Sequence, residues 1–243
     1  MEIRRISFDP ASVTRVLGAV ALLLVLASLG GQLAAHLTER VRVLGLVRLF
    51  YVNAERNIPT AFSVVLLLLA ALLLGVIAML KAKEVGASVV HWAVLSFGFL
   101  FMAADEAFEF HEGLVKPVRR LMGDEDLGFF FYGWVVPGMV LVGILALFFW
   151  RFVWRLPAKT RLGFAIAATL FLGGAVGMEL IGGRFAELHG ADNWTFIMIA
   201  TVEESLEMAG VIVFIRALLA YLADNYEEVR LRFERGRGVP SDA

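Results

Sequence analysis

Residues 194–222 read WTFIMIATVEESLEMAGVIVFIRALLAYL. Because about 20 apolar residues span the core of a bilayer, this stretch is long and apolar enough to cross one. It nevertheless contains three acids, Glu203, Glu204 and Glu207. A charged side chain near the bilayer centre costs roughly 2.5–3.5 kcal/mol, so intramembrane acids usually face a bundle interior, a cavity or a bound ion. We therefore look for a functional site around this last helix first.

The rest of the chain is as apolar as this stretch. Of its 243 residues, 60% are hydrophobic and 19% charged, and the mean hydropathy is +0.79. We therefore predict an all-α integral membrane protein, a six-helix transmembrane bundle forming a single domain over residues 1–243. The predicted helices are 16–35, 59–80, 87–110 (apolar to 104), 129–150, 162–182 and 194–222, followed by a charged tail at 223–243.

Charge and cysteine content exclude several classes of protein. The net charge is −1, so nothing suggests a nucleic-acid partner. The chain has no cysteine, which excludes disulfides, thiolate catalysis and cysteine-bound metals. The predicted helices place thirteen Lys and Arg residues on the N-terminal side and eight on the other. The positive-inside rule then puts both termini in the cytoplasm, in a multi-pass protein of the plasma membrane.

Acids and histidines collect on the extracytoplasmic side of this topology. If the third helix continues to 112, Asp105, Glu109 and Glu112 share one face, and His111 points to the opposite side. A break in that helix would change this prediction. Glu203 and Glu207 are neighbours at i and i+4 with Gly210 below them, whereas Glu204 lies about 100° away. In the fifth helix, Gly173 and Gly177 form a G-x-x-x-G face that fits helix packing or oligomerisation.

Each of these features has a simpler interpretation. The acids from 105 to 112 could form a solvated helix end at the headgroups, where acids cost little. Glu179 could form a salt bridge with Arg184. Glu203 and Glu207 resist such an explanation, since they lie about 13–20 Å along the helix from Trp194. The membrane part would have to begin as late as Leu206 to leave them outside.

Clustered carboxylates in a low dielectric need protons or a metal to neutralise them. We predict a divalent metal site, with zinc, manganese or iron fitting a mixed carboxylate and histidine set. The predicted ligands are Asp105, Glu109, His111, Glu112, Glu179, Glu203 and Glu207. A metal-activated water acting on a lipid ester or amide, with Glu204 as general base, is a catalytic extension of this hypothesis; the sequence leaves open whether the protein is an enzyme.

Two alternatives remain open. The same carboxylates could serve a cation- or proton-coupled transporter or channel, although below Glu207 the helix is apolar until Arg216. The protein could also be a structural subunit of a membrane complex, whose buried acids pair with arginines of a partner.

Three segments carry a resemblance: D-E-A-F-E-F-H-E at 105–112, M-E-L-I-G-G at 178–183 and E-E-S-L-E-M-A-G at 203–210. They look like those of uncharacterised bacterial multi-pass membrane proteins, which implies an inner-membrane location and a site shared by the three segments. Membrane hydrolases of the alkaline ceramidase type resemble the chain less closely, because they have seven helices and a histidine pair near the last one.

Overall fold

The computed structural model describes residues 9–38, 45–84, 89–123 and 126–226, and every regular element within these ranges is helical. The elements are α1 (Pro10–Thr38), α2 (Gly45–Phe50), α3 (Ile58–Lys81), α4 (Val89–Phe108), α5 (Phe110–Met122), a 3₁₀ turn (Gly128–Phe130), α6 (Val135–Arg155), α7 (Ala158–Leu172), a π-helical turn (Gly173–Met178), α8 (Glu179–His189) and α9 (Trp194–Asn225).

Six of these helical segments are long and apolar enough to cross a membrane, which confirms the predicted fold class. They are α1, α3, α4, α6, the continuous segment Ala158–His189 and α9. Half of the most apolar window of α9 is buried inside the protein, against a third or less for the other spans. The last helix, which packs against α1, α3, α7 and α8, is therefore the central element of the bundle.

Local sequence explains where two of the spans begin. Asn57 precedes α3 and accepts a hydrogen bond from the Thr60 N–H at 3.1 Å, with Pro59 in the first turn. Asn193 does the same for α9, accepting from the Phe196 N–H at 3.0 Å. Capping side chains of this kind satisfy N–H groups that have no partner within the helix.

Two predicted helices include residues that the structure places outside them. The third ends at Phe108 because Glu109 adopts a left-handed backbone conformation with φ 59°, so α4 and α5 are separate helices. The fourth begins at Val135 and not at residue 129, since Gly128–Phe130 forms a 3₁₀ turn whose Gly128 N–H donates to Glu187 Oε1 at 3.0 Å. Instead of extending the span, Phe131 and Tyr132 pack against Gly183 of α8.

The end of the bundle distant from the acids is filled with aromatic side chains. Trp92 is only 2% exposed and contacts Phe152, Phe164 and Tyr221. His91 beside it stacks on Phe152 with ring centroids 4.9 Å apart.

The charged tail predicted at 223–243 begins within α9, because this helix continues to Asn225. Residues 227–243 of the predicted tail lie outside the described ranges.

Candidate functional site

The break between α4 and α5 brings Asp105 and His111 together. Asp105 Oδ1 accepts a hydrogen bond from the His111 backbone N–H at 2.9 Å, and Asp105 Oδ2 lies 2.8 Å from His111 Nδ1. The expectation that His111 points away from Asp105 is therefore wrong, because it assumed one continuous helix. Asp105 therefore caps the first turn of α5 through the His111 backbone N–H and also orients the His111 imidazole.

His111 is basic for a histidine. Burial alone would lower its pKa, but the hydrogen bond and charge of Asp105, with the charges of Glu112 and Glu179, outweigh burial and raise its pKa to about 8. The ring also lies 5.0 Å, centroid to centroid, from the indole of Trp134. A protonated imidazole therefore lies beside the electron-rich indole of Trp134. Both are next to the acidic cluster, by which we mean Glu106, Glu179, Glu203, Glu204 and Glu207.

Trp134 connects this pair to the interior. Its Nε1–H donates to Glu179 Oε1 at 2.7 Å. The carboxyl group of Glu179 in turn lies beside that of Glu203 of α9, close enough for the two to interact. Arg184, the expected partner of Glu179, pairs with Glu187 at 2.6 Å instead, so the salt-bridge interpretation of Glu179 is wrong.

Glu179 directly follows a π-helical turn, which spans Gly173–Met178. A Cβ on Gly174 would lie 2.7 Å from the Glu203 carbonyl oxygen and 2.8 Å from Glu207 Cγ, so only glycine fits. Such single π turns within α-helices occur frequently at functional sites.

Backbone contact continues one turn further along α9. A Cβ on Gly210 would lie 2.7 Å from the Phe171 backbone nitrogen. The predicted Gly173 has open space on its Cβ side, and Gly177 meets no other helix there. The close packing that we assigned to Gly173 and Gly177 is thus made by Gly174; oligomerisation through the predicted pair stays a prediction.

The remaining predicted ligands lie in different surroundings. Glu109 binds Arg56, with Oε1 2.9 Å from Nε, and Glu112 is exposed on α5. Glu207 lies against Gly174, near both Glu106 and Glu179. Glu204 is close to Glu106 and Glu55, on another side of α9 from the Glu179–Glu203 pair. Within the described ranges, no three His, Asp or Glu side chains are arranged to hold a metal ion.

Four residues in or near the cluster are not among the site residues predicted from the sequence. Burial, together with the charges of Glu112 and Glu109, raises the pKa of Glu55. Burial and the charges of Glu179 and Glu203 raise the pKa of Tyr132 to about 12, so its hydroxyl stays protonated. The other two are Trp134, which binds Glu179, and Glu106, which lies near Glu204 and Glu207. Glu55 lies in a loop that Ser28 holds against α1, through a 3.1 Å hydrogen bond from the Val52 N–H.

Six spans surrounding a group of partly buried carboxylates define a multi-pass α-helical membrane protein with an acidic site inside its bundle. The chain belongs to the family described as a domain of unknown function (DUF8692), which matches residues 16–222. No curated protein and no solved structure matches the chain.

Proposed function

We propose that this protein binds a cation at a one-sided carboxylate site within its membrane bundle, and that the cation held in the resting state is a proton. The pairing of the Glu179 and Glu203 carboxyl groups, which lie beside each other on neighbouring helices, carries the proposal, and we infer a hydrogen bond between them. Two carboxyl groups can hydrogen-bond to each other only when one of them carries a proton. The proton neutralises a pair that would otherwise place two like charges side by side in a low dielectric.

Among the described residues, no arginine or lysine is seen paired with Glu179 or Glu203. The arginines seen pairing with acids at this end, Arg56 and Arg184, bind Glu109 and Glu187 at the rim. His111 already pairs with Asp105 and reaches Glu179 only through the indole of Trp134. We therefore infer that an exchangeable cation balances the charge of this pair, as expected of a binding site.

The packing of α9 supports access to the site from one side only. Beyond Glu207, the buried side chains of α9 include Met208, Val211, Ile215 and Leu218, each at most 4% exposed. Phe99 and Phe214 stack across the same level at 4.7 Å. A hydrated path from the acids to the other end would have to pass through this packing, so reversible binding from one side is favoured over conduction.

A divalent metal that displaces the shared proton is our second candidate. Glu179, Glu203 and Glu207 would supply carboxylate donors for the predicted zinc, manganese or iron. Because no three acids or histidines of the described residues are arranged to hold a metal ion, binding would require these side chains to move together. Because the carboxyl pair is protonated without metal, binding would release protons and strengthen as the pH rises. Lipid hydrolysis with Glu204 as base, proton-coupled transport and a structural role in a complex remain predictions.

Location and family features complete the proposal. We assign the protein to a bacterial inner membrane, with the acidic end extracytoplasmic as the positive-inside rule indicates. We further propose that the segments 105–112, 178–183 and 203–210 are the shared site of the DUF8692 family. All three contribute a side chain to the chain of contacts from Asp105 to Glu203.

Infrared difference spectroscopy in H₂O and D₂O on the protein in nanodiscs tests the shared proton. Near neutral pH, we expect the carbonyl band of a protonated carboxylic acid in the wild type and a weaker band in Glu203→Gln. Glu187→Gln, at a rim acid paired with Arg184, is the matched control and should keep the full band. A wild type without the band would overturn the proposal.

Metal binding is measured on the same samples. After addition of zinc or manganese in weak buffer, we expect proton release together with bound metal in mass spectrometry, and loss of both in Glu203→Gln. A protonated-acid band without metal uptake would leave the proton site standing and reject the second candidate.

A further inference from the structure

α5 has three distinct faces. The first face carries Val115 and Val118 and packs against Gly133. A Cβ added to Gly133 would lie 3.2 Å from Val118 Cβ. The second is an apolar stripe. The third, on the other side of that stripe, is basic and carries Lys116 and Arg120. At 100° per residue, these two residues lie about 90–130° around the helix from the stripe.

The apolar stripe has no covering element among the described residues. Phe110, Leu114, Pro117 and Leu121 fall within about 60° of one another. Leu121 is 87% exposed, and Phe110 and Leu114 are 50% and 47% exposed. A helix with a continuous apolar stripe and a basic face is typical of one that lies in the plane of a membrane surface.

The position of α5 indicates what covers the stripe. α5 begins two residues after α4 ends. The Phe110 ring lies 5.7 Å from that of Phe108 and 6.5 Å from that of Phe101, two exposed aromatics of the membrane-spanning α4. The stripe therefore continues the surface that α4 presents to lipid, at the level where this span leaves the membrane.

From this continuity we infer that α5 is an interfacial helix: its apolar stripe is embedded among the acyl chains of the surrounding lipid, and Lys116 and Arg120 bind the phosphates of anionic phospholipids. Both basic side chains are exposed on α5. Residues at this depth meet headgroup phosphates, and each Lys or Arg near an anionic surface strengthens binding about fivefold. The helix, whose first turn contains His111, is thereby anchored at the membrane surface.

Site-specific labelling tests the inference directly, because the chain contains no cysteine. Leu121→Cys and Leu114→Cys place an environment-sensitive fluorophore on the stripe, and Lys116→Cys is the matched control on the basic face. In nanodiscs we expect the stripe labels to be quenched by lipids brominated in the acyl chain and protected from iodide. The control label should show the reverse pattern.

Two outcomes would overturn the inference. Iodide quenching as strong at 121 and 114 as at 116 would show that the stripe faces water. Protection from both quenchers would show that protein covers it, in a second copy or a partner.

The lipid headgroup is tested by counting retained lipids in native mass spectrometry of the full-length protein. From mixed anionic and zwitterionic nanodiscs, Lys116→Gln/Arg120→Gln should lose its preference for anionic lipid several-fold relative to wild type. Lys159→Gln, outside α5 at the opposite end of the bundle, should not. An unchanged preference would reject the role of the two basic residues.

Discussion

The two halves of α9 solve the same burial problem with opposite chemistry. From Val211 to Tyr221, the buried side chains are aliphatic or aromatic and pack against α3, α4 and α7. From Glu203 to Glu207, three carboxyl groups of the same helix lie partly buried among further acids. The apolar half supplies buried packing around α9, whereas the acidic half carries a cost in stability, as expected of a functional site.

Removing a core side chain from the apolar half should have the largest effect. Leu218 is fully buried, and Leu218→Ala leaves a cavity that costs roughly 2–5 kcal/mol of unfolding free energy. SDS-induced unfolding in mixed micelles measures the change. Leu147→Ala is the matched control, because Leu147 is 81% exposed on α6. Equal losses in the two variants would show that the interior around α9 is not the stabilising core.

The contact at the boundary between the halves comes next. A Cβ on Gly210 overlaps the Phe171 backbone, which cannot move without separating α7 from α9. We expect Gly210→Ala to destabilise by roughly 1–3 kcal/mol in the same assay. Gly143→Ala, in α6 where a Cβ meets nothing within 4 Å, should be neutral or slightly stabilising. A neutral Gly210→Ala would mean that the helices are not in backbone contact there.

The pH-dependent stabilisation from His111 should be somewhat smaller than the effect of Gly210→Ala. The pKa of His111 is raised to about 8 from 6.5, so the folded state binds the proton more tightly than the unfolded state. The resulting stabilisation is fully present below about pH 6.5, falls as the pH rises through about 8, and amounts to about 1–2 kcal/mol. The wild type should therefore lose more stability than His111→Gln between pH 6 and pH 9. Parallel pH profiles for the two proteins would contradict the His111–Asp105 pairing.

Sequence patterns predict the apolar half of the molecule better than the acidic half. Hydropathy and length identify all six spans, because the bilayer imposes one requirement on each of them. The break at Glu109 escapes this reasoning, because a non-glycine residue in the left-handed region has no hydropathy signal. It depends on Asp105 accepting the His111 N–H, a capping contact six residues away that helical periodicity hides.

Two other features of the site were hidden for related reasons. Trp134 counted as one more apolar residue of a span, whereas its indole N–H binds Glu179. The π turn shows in the sequence only as G-G-A-V-G at 173–177, and the extra residue that it inserts decides which glycine meets α9. Glu203 and Glu207 were found because charge in an apolar run is itself the signal.

The smallest expected effect on stability, and the sharpest contrast with the apolar half, is at Glu203. Glu203→Gln keeps the size of the side chain and lets its amide donate to Glu179 without a shared proton. Because a carboxyl group in a low dielectric contributes little net stability, we expect the unfolding free energy to stay within about 1 kcal/mol of wild type or to rise. The same variant should show a weaker infrared band of the protonated acid and lose metal-induced proton release, whereas Leu218→Ala, assayed under folding conditions, should keep both in full. A strongly destabilised Glu203→Gln would instead show that the carboxyl pair holds the helices together, and the division of α9 into a packing half and a binding half would no longer apply.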